Sequence, residues 1–186
     1  SWFGRALLEG FNPYQVHTVL YPAGSTDLMI KSGPCLNAAA TAPFQTVLGV
    51  VASYNITVIG LMLLTAYAGY RLALDLTRDR ASSFAAGAVL TMNPLMYSEM
   101  MAGHMDQFSG GWTLLTLMYM LRTIRGQGRW APVLAGLFFV LATFSYLGFG
   151  LLLGMLLPLI LIWTVASERS LLGWPLLRRL VAAAAT

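Results

Sequence analysis

Five apolar runs dominate the chain, at or somewhat below the roughly 20 residues that a helix needs to cross a bilayer. They extend from Tyr54 to Leu76, Ser82 to Tyr97, Phe108 to Leu121, Trp130 to Tyr146 and Phe149 to Ala166. The last four are short, so turns from their polar flanks must complete the crossing. Only 10% of the 186 residues are charged and 58% are hydrophobic. A soluble domain has about 25% charged residues, so this chain lacks the ions to cover a wet surface. The expectation is an all-α fold, a polytopic transmembrane helix bundle of about five spans.

The basic residues give the runs a direction. Arg71, Arg78 and Arg80 fall between the first two runs, Arg122, Arg125 and Arg129 between the third and fourth, and Arg169, Arg178 and Arg179 after the fifth. Only Arg5 and Lys31 lie elsewhere. Positive residues remain on the cytoplasmic side, so the alternate connections, including residues 1–53 and 98–107, face outward. A net charge of +4 therefore reports membrane orientation, and no nucleic-acid partner is expected. The expected location is the bacterial inner membrane, multi-pass. Asp75, Asp79 and Glu168 stand beside inner arginines and read as their solvated partners.

Residues 1–53 read as a long extracytoplasmic loop, and residues 54–186 as one membrane domain. Turn signals recur in the loop at Asn12-Pro13, at Pro22 to Gly24 and at Ser32 to Pro34. Trp2, Phe3, Leu7 and Leu8 fall at helical spacing, so a short interfacial helix is expected there, and a second from Ala38 to Val51. Ser1 in place of Met and the apolar ending VAAAAT read as a piece of a longer chain. The single Cys35 excludes an internal disulfide and any cysteine-based zinc site.

The candidate chemistry gathers in SEMMAGHMDQFSGG, residues 98–111. Two carboxylates and an imidazole, Glu99, Asp106 and His104, interrupt an otherwise apolar sequence. Such groups move protons or hold cations. The plainer alternative has Asp106 capping the third helix and Glu99 solvated at the membrane edge. In the first loop, His17 and Asp27 flank LYPAGST, where Gly24 permits close backbone approach to a ligand; a tight turn is the alternative. Asn93-Pro94, late in the second run, removes a helix bond and frees carbonyls, either as a plain kink or as a bend toward a cavity. The sequence has no phosphate-binding Walker A loop, no GxGxxG in a βαβ setting and no HExxH.

The order FNPYQVHTVLYPAG, then Tyr54-Asn55, then GAVLTMNPLMYSEMMAGH, then Trp112 resembles bacterial membrane proteins of the GT-C glycosyltransferase superfamily. The likeness covers Trp2 to Tyr146. It implies transfer of a sugar from a polyprenyl-phosphate donor to an acceptor on the outer face. It also implies a site built by the first and second external loops, with an acidic residue as base or, in some members, as ligand to a divalent metal. The residues it points to as catalytic are Asp106, His104 and Glu99, with His17, Tyr21, Gly24 and Asn93 lining the substrate cleft. One departure matters. The leading acidic residue of the superfamily follows its first transmembrane helix, a position that falls before Ser1, and Glu9 and Asp27 are weak substitutes. The rival expectations are a transporter, which would place ionisable groups near the bilayer midplane, and a non-catalytic scaffold or assembly subunit.

Overall fold

The computed structural model describes residues 9–10, 12, 35–102, 104 and 108–167. Every regular element of substantial length among them is an α-helix. In chain order these are α1 Cys35–Thr77, α2 Arg80–Thr91, α3 Pro94–Ala102, α4 Gly110–Ile124, α5 Ala131–Ser145 and α6 Leu147–Ser167. The all-α expectation therefore holds for the described residues. The expected interfacial helix at Trp2 to Leu8 lies outside them.

The longest element is not a straight rod. Forty-three residues of helix would extend about 65 Å, twice the thickness of a hydrocarbon core. At Gly49 the backbone leaves the helical region, with φ 77° and ψ 169°, a conformation that suits glycine because it has no Cβ. Two contacts show how far the chain turns there. Asn37 Nδ2 donates to Ser109 Oγ at 2.9 Å, and Thr65 Oγ1 donates to the carbonyl of Phe108 at 3.2 Å. Because Phe108 and Ser109 are neighbours, Asn37 and Thr65 come to one place. A straight helix would hold them about 42 Å apart. The arm 35–48 thus folds back beside the arm 50–77. The expected break between a loop helix and the first span falls at Gly49, within the range Ala38 to Val51 assigned to that helix.

The 50–77 arm is the spine of the bundle. α4 runs parallel to it: Gly111 abuts Leu64 and Thr65, and Arg122 meets Asp75, an offset of 47 residues at both points. α2 runs back along the arm. A Cβ on Gly87 would stand 2.6 Å from the Ala66 carbonyl oxygen, so the absence of a side chain permits this approach, as at small-residue contacts in membrane bundles. Between α1 and α2, Asp79 caps the new helix by accepting from the Ser82 N–H at 2.7 Å. Hydrogen bonds from Ser82 hold the Asp79 carboxyl below its usual range.

The second apolar run, expected as one helix, is two. Met92 closes α2 through its N–H to Ala88, and Asn93 Oδ1 accepts from the Met96 N–H at 3.0 Å to open α3. Pro94 takes the first helical position, where a missing N–H costs nothing. α4 and α5 form a hairpin in which Phe138 stacks on Trp112 and Tyr119, with ring centroids 5.9 and 5.4 Å apart. Tyr146 alone separates α5 from α6.

Two helical stretches, Ala39–Thr77 and Leu147–Thr164, are long and apolar enough to cross a membrane, and Ala131–Ser145 is apolar but shorter. The outward surface is rich in large apolar side chains, with Met101 85%, Val47 81% and Trp163 74% exposed. The buried set includes Ser53, Ser83, Ser109, Thr116 and Thr123.

Asp75 corrects one expectation. It is not a solvated partner of nearby arginines. Its two oxygens accept from Nε and Nη2 of Arg122 on α4, the latter at 2.8 Å, and only 26% of its side chain is exposed. The guanidinium also lies 5.2 Å from the centre of the Tyr119 ring. A bidentate, mostly covered pair fixes the register between two helices more firmly than a surface pair does. Asp75→Ala should lower stability by roughly 1–3 kcal/mol in thermal unfolding of the detergent-solubilised protein. The reversed pair, Asp75→Arg with Arg122→Asp, should be more stable than Asp75→Arg alone. Equal melting of the two would show that this pair does not join α1 to α4.

Candidate functional site

Two of the polar residues singled out in sequence, Glu99 and His104, meet at the end of α3. The placement of α3 begins with the cap at Asn93, which sets where the helix starts and so which face turns inward. Met96 is buried against Val58, Leu61 and Phe108, and Met100 and Tyr54 pack on the same cluster. With Met96 and Met100 turned inward, Glu99 stands at the cluster's edge, with 21% of its side chain exposed.

His104 is bonded to Glu99 twice. Its backbone N–H donates to the Glu99 carbonyl at 3.0 Å, and its Nδ1 lies 2.7 Å from Glu99 Oε2. The backbone bond spans five residues, the pattern that closes helix C-termini. The closure brings the imidazole back over the last turn of α3. Its side chain remains 58% exposed. The result is a carboxylate–imidazole pair with the ring's second nitrogen, Nε2, without a hydrogen-bond partner among the described residues. In such a pair the carboxylate fixes the orientation of the ring and leaves Nε2 open to bond a ligand.

The placement of the other candidates is uneven. Asn93 uses its side-chain oxygen in the α3 cap, so its first task is structural. Asp106, His17, Tyr21, Gly24 and Asp27 lie outside the described residues. Glu99 and His104 are thus the two candidates that the fold brings into contact. Among the described residues, no three His, Cys, Asp or Glu side chains converge as a metal site would need. Glu99 and His104 supply two donors that already bond one another, so no step through a cation is derived.

Further features near this end were missed in sequence. The Asn37–Ser109 bond pins the arm 35–48 to the start of α4, and Asn37 is only 2% exposed. An amide in a largely apolar helix was the available signal. Among the described residues, four buried side-chain polar atoms have no hydrogen-bond partner: Tyr54 Oη, Trp112 Nε1, Thr113 Oγ1 and Ser145 Oγ. Tyr54 and Trp112 had been noted as sequence landmarks, but nothing in their spacing showed that their polar atoms would be buried without partners. A buried group left unpaired costs about 1–3 kcal/mol.

No family model, curated protein or solved structure matches the chain.

The Glu99–His104 pair is partly open to solvent, so its structural value should be small. A double-mutant cycle with Glu99→Gln and His104→Ala should return a coupling of about 0.5–1 kcal/mol in unfolding experiments. A coupling of several kcal/mol would recast the pair as a structural clamp.

Proposed function

We propose that the chain crosses the bacterial inner membrane five times and forms part of a GT-C-like glycosyltransferase. It would move a sugar from a polyprenyl-phosphate donor to an acceptor on the extracytoplasmic face. The five crossings are the 50–77 arm, α2 with α3, α4, α5 and α6. Two features support membrane placement: the long apolar stretches of α1 and α6, and a surface of large exposed aliphatic and aromatic side chains. α2 and α3, of 12 and 9 residues, together hold about 32 Å of helix, enough for one crossing. α4 and α5 are shorter, at about 22 Å each, and such spans are accommodated by flanking residues and local thinning of the bilayer.

The observation that carries the functional reading is the Glu99–His104 contact at one end of the bundle, with the Asp75–Arg122 pair at the other. The first end bears the only His–carboxylate pair among the described residues. The second lies beside the inner arginines. A donor whose lipid tail lies in the bilayer presents its phosphate and sugar at the membrane edge, where the C-terminus of α3 sits in this topology.

The chemistry follows from those groups. A carboxylate, Asp106 or Glu99, accepts the proton of the acceptor hydroxyl as its oxygen attacks the anomeric carbon. The bond from that carbon to the phosphate oxygen breaks, and polyprenyl phosphate leaves with the bonding electrons. His104, oriented by Glu99, presents its ring edge to the leaving phosphate and bonds the oxygen on which negative charge grows. His17, Tyr21 and Gly24 would line the cleft from the first loop. Tyr54, packed against α3, places its ring beneath this end of the bundle.

The test is transfer from radiolabelled polyprenyl-phosphate sugars in membranes that contain the full parent protein, with expression levels matched. Asp106→Asn and His104→Ala should each reduce transfer by about 10²–10⁴-fold, and Glu99→Gln by less. Unchanged transfer in all three variants would return these residues to helix closure and solvation. No transfer by the wild type across a broad donor panel would contradict the enzyme reading itself.

A further inference from the structure

A second feature lies at the opposite, arginine-bearing end and has no part in sugar transfer. An open groove of about 690 Å³ runs between the end of α4 and the second half of α6. Leu121 and Arg125 form one wall; Leu159, Ile162, Trp163 and Thr164 line the other. The lining is apolar with one ionic group. The Thr164 hydroxyl is already spent on the Ile160 carbonyl, at 2.7 Å, which leaves the Arg125 guanidinium as the group able to bind an anion.

The neighbouring arginines make Arg125 distinctive. Arg122 is held by Asp75, Arg71 by the Tyr67 hydroxyl at 3.0 Å, and Arg129 lies 4.8 Å from the Trp130 ring centre. Arg125 is exposed and has no side-chain partner among the described residues. A cation at the head of a greasy groove, beside a Trp that is 74% exposed, matches the layout of a phospholipid: anionic headgroup at the interface, acyl chain along the helices. Arg also suits this task because its planar fork binds phosphate oxygens in pairs and its stem tolerates apolar contact.

We infer that this groove holds one anionic phospholipid of the cytoplasmic leaflet, with its phosphate on Arg125 and an acyl chain against Leu121, Leu159, Ile162 and Trp163. The inference rests on the membrane placement above and is independent of the sugar-transfer reading.

Native mass spectrometry of the detergent-purified full chain tests it, with phosphatidylglycerol or phosphatidylcholine added at equal concentration. Wild type should retain phosphatidylglycerol at least several-fold better than phosphatidylcholine. Arg125→Gln should abolish that preference, and Arg125→Lys should keep part of it. Arg80→Gln, at an exposed arginine outside the groove, should leave it intact. Leu159→Trp, which fills the groove, should weaken retention of both lipids. Arg125 has no side-chain partner to lose among the described residues, so circular dichroism of Arg125→Gln should match the wild type. The proposal is overturned by equal retention of the two lipids by the wild type. It is also overturned by an Arg125→Gln variant that still prefers phosphatidylglycerol, or by Arg80→Gln acting as strongly as Arg125→Gln. Displacement of bound lipid by a protein segment that binds the groove more tightly would also overturn it.

Discussion

Where the surroundings offer no water, every backbone and hydroxyl group must find its partner within the chain. Most buried hydroxyls among the described residues follow this rule, with those of Tyr54, Thr113 and Ser145 as exceptions. Thr41, Ser53, Thr65, Thr91, Thr116 and Thr123 all turn their hydroxyls to the carbonyl four residues earlier. Such bonds let small polar residues sit in apolar helices without an unpaired group. The two breaks obey the same rule. At Gly49 the carbonyl is taken by Ser53, and at Asn93 the side chain replaces the lost helix bond by capping α3.

Those breaks also place the candidate site. The turn at Gly49 lays the arm 35–48 against the start of α4 and delivers Asn37 to Ser109. The break at Asn93 restarts a helix whose buried methionines grip the 50–77 arm, and that grip fixes where Glu99 stands. The closure from His104 to Glu99 then brings carboxylate and imidazole together. At the far end the Asp75–Arg122 pair sets the parallel register of α1 and α4. Close approach at Gly111 holds the same register about three turns away.

Much of the helical architecture was legible in the sequence because long apolar runs permit few other outcomes. The expected run from Trp130 to Tyr146 becomes Ala131–Ser145, and that from Phe149 to Ala166 becomes Leu147–Ser167. The breaks were harder to read. Asn93-Pro94 was visible as a disturbance, but its choice between bend and restart depended on whether Asn93 could reach the Met96 N–H. Gly49 lay among apolar residues and carried no local signal of its φ. Asp75 appeared solvated because the sequence shows only its neighbours, Arg71 and Arg78, whereas its partner lies 47 residues away. For the candidate site, sequence identified Glu99 and His104 as chemistry-bearing. Their contact was not legible there, because it depends on a helix closure that joins residues five apart.

Sidedness is the central claim, because it places a carboxylate–imidazole pair and an arginine-bearing end in two different compartments. Single cysteines in a Cys35→Ser background measure it directly: Met101→Cys on α3 and Gln127→Cys in the α4–α5 turn, both at exposed positions. Each would be treated in intact cells with a membrane-impermeant maleimide. The account predicts that Met101→Cys is labelled in intact cells and that Gln127→Cys is labelled only after the membrane is opened. Labelling of both from the same side would contradict it.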